Sequence, residues 1–437
     1  MNLSPVEIGG LMIVLLFLLM YLKMPIGATM LVAAFIGFVL IRGLPAGLSS
    51  IGIIPWRQGL KEILLLIPLF TFMGLLAAHG GISSRAFSSI YKWVGHLPGG
   101  LAMACTGACA AFGAVCGNQL ATSLTMSSVA LPEMRKYNYQ DSFSLGTIAA
   151  AGNLGIMIPP SGSFVIYGFL TETSIGALFI AGILPGLLIT LMFCVQMYIQ
   201  CRLNPSLGPI GPRVGWAARL KSLNGLWAVV LVFIVVMGGI YAGVFTPSEA
   251  AACGVAVVFL IGLANRELNW KSFTSALQET IRISAMIMFI LIGAMYFGAF
   301  MTVSQIPNSL ADFVTLLSVN RYIVIGVVLI VYIICGFVMD IYAILVISLP
   351  ILFPIVEAVG FDPLHFGVMC VLTIMLGGIT PPFGMQVFAL SGMFKIPVST
   401  IFRGTLPFVI TMLVGLVIIL FAPIISTLLP DFMIPYR

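Results

Sequence analysis

Charge is the scarcest property of this chain. Only 7% of its 437 residues are Asp, Glu, Lys or Arg, while 61% are hydrophobic and mean hydropathy is +1.18. A surface bathed in water needs more polar residues than this supplies. Histidine occurs three times, and His79, His96 and His365 each stand near Gly, Pro or Asp at expected helix ends. Those places suit surface or interface roles better than metal ligation. No H-E-x-x-H pair, G-x-S-x-G elbow or Gly-Lys-Ser/Thr phosphate loop is present. Zinc hydrolysis, serine acyl transfer and ATP-driven work therefore have no candidate residues. The eight cysteines are scattered. Cys105 and Cys109 share one helix but lack a second pair or a histidine to complete a zinc site, and they read as small buried apolar residues. No ten-residue alternating pattern suggests a β-barrel. The only long polar stretch is 202–224, too short for a soluble domain.

What the chain has is apolar length. Runs at 226–236, 283–300, 323–338 and 408–421, with their flanks, approach the roughly 20 residues a membrane-spanning helix requires. The first run, 8–22, has no basic region before it and no small-residue cleavage site after it, so it reads as a retained helix. Net charge is +6, and basic residues gather at Arg135-Lys136 and at Arg202, Arg213, Arg219 and Lys221. By the positive-inside tendency the 202–224 linker is expected in the cytoplasm. An all-α, polytopic membrane protein is expected, in two fused halves at 1–201 and 225–437.

One signature occurs in each half. Gly155-Ile-Met-Ile-Pro-Pro-Ser-Gly162 recurs as Gly377-Gly-Ile-Thr-Pro-Pro-Phe-Gly384, 222 positions on. The same offset pairs Asn118 with Asp340, Pro132 with Pro354, Gly182 with Gly404 and Pro185 with Pro407. Adjacent prolines remove two backbone donors and clash with the preceding turn, so a helix breaks there. Inside a membrane such a break is tolerated where protein or a polar cavity receives the freed groups. Paired breaks at matching places in two halves point to the binding site of a secondary transporter. Each half thus reads as a re-entrant hairpin followed by a broken helix: hairpin 99–134 and broken helix 140–172, then hairpin 322–358 and broken helix 362–394. Opened carbonyls suit a hard cation, and the helix N-terminus after a break suits an anion.

Asp340 lies within an apolar run, where an acid is expensive unless it is paired or meets a cation. Its counterpart Asn118 offers a neutral oxygen at the same station. The alternative for Asp340 is a helix cap at the hairpin tip, which does not exclude a cation there. Thr246-Pro-Ser-Glu249 reads as a capping box with Pro in the first turn. Tyr167, Tyr296, Trp56 and Trp93 read as packing or interface anchors.

Several segments together resemble the large membrane subunit of tripartite ATP-independent periplasmic (TRAP) transporters. They are Thr246-Pro-Ser-Glu-Ala-Ala-Ala252, Ile158-Pro-Pro-Ser161 with Ile166-Tyr-Gly168, Ala181-Gly-Ile-Leu-Pro-Gly186, and Phe361-Asp-Pro-Leu-His-Phe-Gly-Val368 followed by Thr380-Pro-Pro. The resemblance implies inverted repeats in an elevator-type fold. It implies sodium-coupled uptake of a small organic anion, such as a carboxylate, across the bacterial inner membrane. It implies a small four-helix membrane subunit and a periplasmic substrate-binding protein as partners, with sodium as coupling ion and no cofactor. By position it puts one sodium site at Gly155, Ile158 and Pro160 with Cys116 and Asn118. The second falls at Gly377, Thr380 and Pro382 with Asp340, and substrate at Gly117, Asn118, Ser161, Ser163 and Gln386. This chain has Cys116-Gly117-Asn118 where family members often have Ser-Gly-Ser, and Gln386 at a common Asn. No arginine lies in either core motif. A stand-alone carrier of the same fold and an intramembrane enzyme are the alternatives.

Overall fold

The computed structural model describes residues 3–317 and 319–433. Positions 1, 2 and 318, and the last four of the expected second half, 434–437, lie outside them. Helix follows helix, with no strand among the described residues. Composition explains this: away from water every backbone N–H and C=O must be bonded inside the protein, and a helix does so within one segment. Among the described residues six helices are long and apolar enough to cross a membrane: Glu62–His79, Ile175–Leu203, Pro247–Ala264, Trp270–Ser304, Ile341–Ala358 and Val398–Phe421. Counting two bent pairs as single spans raises the number to eight.

The spine is Trp270–Ser304, 35 residues long. It packs against Ile26–Arg42, Leu44–Gly59, Leu66–His79 and Ile341–Ala358. Small residues bring these backbones together. A Cβ added to Gly293 would stand 2.5 Å from the Gly27 carbonyl oxygen, so any larger residue would part the two helices. Pro247–Ala264 starts where the capping box requires. Thr246 N–H donates to Glu249 Oε2 at 2.8 Å and Glu249 N–H returns to Thr246 Oγ1 at 3.3 Å.

Two hairpins follow from the turn residues. Gly100–Cys116 and Gln119–Lys136 meet at Gly117-Asn118, and Arg321–Val338 meets Ile341–Ala358 at Met339-Asp340. After the first hairpin, Asp141–Met157 bends by 44° into Gly162–Thr171. After the second, Pro363–Gly377 gives way to Met385–Phe394. Both Pro-Pro bonds are cis. The helix after each break crosses to the other broken helix. Val398–Phe421 lies along Asp141–Gly152, and Ile175–Leu203 lies along Pro363–Gly377. The two halves therefore interlock rather than sit side by side.

Two details differ from expectation. Trp216–Ser222 is helical inside the stretch read as a linker, with Trp216 stacked edge-on to Trp93 at 6.3 Å. His365 is buried rather than superficial, 1% exposed, because Ile424–Asp431 folds back over it. Its Nδ1 faces Ser426 Oγ at 3.2 Å and its ring stacks on Phe361.

Candidate functional site

The two hairpin tips are built alike. Asn118 Oδ1 accepts from Ala121 N–H at 3.0 Å, and its carbonyl accepts from Thr122 N–H and Oγ1. Asp340 Oδ2 accepts from Tyr342 N–H at 3.1 Å, and the N–H groups of Ile341 and Ala343 also bear on this carboxylate. Each tip is thus the N-cap of its return arm, a local solution that short polar residues provide.

Tips and breaks touch. Gly117 has φ +62°, and a Cβ there would come within 2.6 Å of Pro160 O. Gly162 N–H points to Gly117 O at 3.5 Å. In the second half, Gly336 and Gly377 meet so closely that a Cβ on Gly377 would be 2.6 Å from Gly336 Cα. The freed carbonyls find hydroxyls. Ser161 Oγ donates to Ile156 O at 2.6 Å, Ser163 Oγ reaches the same oxygen at 3.2 Å, and Thr380 Oγ1 donates to Leu376 O at 2.6 Å.

Between the tips lies a cavity of about 280 Å³. Asn118, Gln119, Ile156, Asp340 and Tyr342 line it from the hairpins and first break, and Glu279 lines it from Trp270–Ser304. A smaller space of about 20 Å³ adjoins Cys116, Gly117, Asn118, Gly162 and Tyr342, room for about one water-sized body. Tyr342 borders both spaces, and its hydroxyl would lie 3.0 Å from a Cβ on Gly162. This arrangement offers oxygen donors and helix starts around a small, partly open volume. It offers no clustered His, Cys or acid set for a transition metal among the described residues.

The family model described as the DctM component of the tripartite ATP-independent periplasmic transporter matches residues 13–425. The chain belongs to that family. It is 37% identical to the C4-dicarboxylate TRAP transporter large permease protein DctM of Pseudomonas aeruginosa, over 89% of this chain and 91% of that one. It is 35% identical to the ectoine/5-hydroxyectoine TRAP transporter large permease protein UehC of Ruegeria pomeroyi, over 95% and 97%. In fold it resembles the YdaH transporter of Alcanivorax borkumensis, with TM-score 0.61 over 89% and 88% of the two chains at 15% identity. The protein is a multi-pass permease subunit of the inner membrane and not an enzyme.

Within this permease, the expected site residues separate into groups. Gly117 and Asn118 line one or both cavities, as do Cys116 and Asp340. Ser161 and Ser163 are fully buried in the first break, bonded to Ile156 O and to each other at 2.6 Å. Gly155, Ile158 and Pro160 form that break's buried backbone, while Gly377, Thr380 and Pro382 form the second. Gln386 lies apart from both cavities. Its Nε2 bonds Asn153 Oδ1, and its Oε1 accepts from Ser123 Oγ at 3.1 Å. Asn153 Nδ2 completes the chain to Met375 O at 2.9 Å, itself 222 positions away. That network ties the two halves together at their matching stations. Sequence reasoning passed over Asn153, Gln119, Tyr342 and Glu279. The first three fall in the motifs or beside the tips. Glu279 lies in a different segment, and only the folded chain brings it to the cavity.

Proposed function

We propose that this permease couples sodium entry to uptake of a small organic acid, with the acid held in the cavity between the hairpin tips. The observation that carries this reading is the convergence of Asn118 and Asp340 on one cavity, each backed by its half's hairpin and break. One sodium would take oxygens of the first break, near Gly155, Ile158 and Pro160, with the tip at Cys116 and Asn118. The other would take Gly377, Thr380 and Pro382 with Asp340. An all-oxygen donor set suits a hard cation, and a carboxylate at low polarity needs a cation to offset its desolvation. The relatives' names give a C4-dicarboxylate and ectoine, both small organic acids. Hairpins and broken helices would move together as the transport domain of an elevator, against a scaffold that includes Trp270–Ser304. The interlocking of the halves supports a pair of inverted repeats. A small four-helix membrane subunit and a periplasmic substrate-binding protein would complete the assembly.

The test is sodium-titrated uptake in proteoliposomes containing the full assembly. Asp340→Asn keeps size and one oxygen but loses the charge, and uptake should fall to background at sodium levels that saturate the wild type. Asn118→Ala should keep partial uptake, because backbone oxygens remain at the first site. Wild-type sodium dependence in Asp340→Asn would reduce this acid to a helix cap. Full uptake by this chain without a binding protein would favour a stand-alone carrier.

A further inference from the structure

We propose that the transported acid also carries a positively charged nitrogen, as an ammonium or amidinium, and that Glu279 and Gln119 receive it. This rests on the transport reading above and names the substrate class of the same cavity.

The cavity's charge balance is one-sided. Its lining contains two carboxylates, Asp340 and Glu279, and no Lys, Arg or His. If a sodium ion offsets Asp340, Glu279, an exposed residue at the open side of the cavity, is the remaining carboxylate that faces the substrate. Glu279 makes no ion pair among the described residues, although Arg282 lies three positions along the same helix. Glu279 shares its helix face with Ile283 and Met286, four and seven residues on, and all three line the cavity. It is also close enough to act electrostatically on Cys116 at the first tip.

Gln119 supplies the second, independent observation. It is only 6% exposed, it lines the same cavity, and its Oε1 is buried without a hydrogen-bond partner. A buried amide oxygen left unbonded is costly, so such a group is usually satisfied by a partner or a ligand. A carboxylate ligand has no proton to give it, whereas an N–H-bearing cation does. Glu279 asks for the same kind of group. The acid end of the ligand then belongs at the start of the second return arm, where Ile341 and Tyr342 line the cavity and the helix dipole is positive. A dianion would place its second carboxylate against Glu279 and leave Gln119 Oε1 unbonded. That is discrimination by an unpaired group as much as by attraction.

The experiment uses the full chain in lipid nanodiscs at saturating sodium, with thermal stability as readout. The probes are 4-aminobutyrate and succinate, similar in length but ending in ammonium or carboxylate, and ectoine, a cyclic amidinium carboxylate. A zwitterion should stabilise the wild type and succinate should not. Glu279→Gln should weaken the zwitterion's effect by about tenfold or more, the scale of one charge-assisted hydrogen bond. Gln119→Leu should weaken it less, and both variants should keep stabilisation by sodium alone. Stabilisation by succinate only, or by none of the three, overturns the proposal. So does a Glu279→Gln variant that binds zwitterion normally, or one whose defect is in sodium binding. If sodium alone fails to stabilise the wild type, the coupling reading fails first and separately.

Discussion

The two Pro-Pro breaks share a skeleton and end in opposite conditions. The first is sealed: Gly155, Ile158, Pro159, Pro160 and Ser161 are all buried. The second is open: Thr380 is half-buried, while Pro381, Pro382 and Phe383 are exposed, Phe383 to 54%. Side chains account for the difference. The stations of Ser161 and Ser163 hold Phe383 and Met385 in the second half. Two hydroxyls close the first break onto Ile156 O, whereas the matching Gly378 O receives only a long bond of 3.4 Å from Gln386 N–H. Gly and Pro decide where a helix breaks; in the first break two hydroxyls converge on one carbonyl, whereas in the second Thr380 and Thr405 bond different ones, Leu376 O and Ile379 O. The open break belongs to the half whose tip carries the charged Asp340.

The largest expected effect is on the contact that holds the two breaks in register. Asn153→Leu removes the hub between Gln386 and Met375. It leaves a fully buried Gln386 amide short of a partner, at about 1–3 kcal/mol for each polar group left unbonded. The melting temperature of the detergent-purified protein should fall clearly, and sodium should restore little of it. An unchanged melting curve would mean the halves are held by apolar packing alone.

The sequence made much of this frame legible, and its failures have physical causes. Hairpins, breaks and caps are local events, written in Asn118, Asp340, Thr246 and the paired prolines, whose backbone preferences act within a few residues. The family resemblance puts Gln386 beside the substrate by its position alone. Its side chain instead turns to Asn153 and Ser123, and that choice depends on packing between halves. Glu279 is invisible for a similar reason: its helix borders the cavity only after the hairpins dock on it. His365 fell from sight because the helix that buries it, Ile424–Asp431, comes about sixty residues later, a separation no local pattern reports.

A middle-sized effect compares the glycines that serve each break. Gly117 and Gly384 both have positive φ, +62° and +36°. An added methyl at 117 meets backbone, Pro160 O at 2.6 Å, which cannot step aside without moving the break. At 384 the nearest atom is Phe402 Cε1 at 2.9 Å, the end of a side chain that can rotate. A left-handed backbone costs a non-glycine residue about 1–2 kcal/mol at either place. Gly117→Ala should therefore lose more stability than Gly384→Ala and should disturb uptake more. Equal losses in thermal unfolding and in uptake would mean that backbone strain, not tip-to-break contact, sets the cost.

The smallest effect is the most direct on the comparison. Phe383→Ser places a hydroxyl at the station of Ser161. Phe383 is exposed to 54%, so little buried apolar area is lost, and total stability should move by no more than about 1 kcal/mol, the worth of one hydrogen bond. Its Oγ would stand where Ser161 Oγ stands relative to the break, with Gly378 O as the acceptor matching Ile156 O. Amide exchange across 377–382 should slow toward the rate across 155–160, because exchange reports local opening. If the hydroxyls are what close the first break, Ser161→Ala combined with Ser163→Ala should move exchange there in the opposite direction. Unaltered exchange in Phe383→Ser would place the cause elsewhere, in Gln119–Lys136, whose Thr122 stands against Gly155 of the first break.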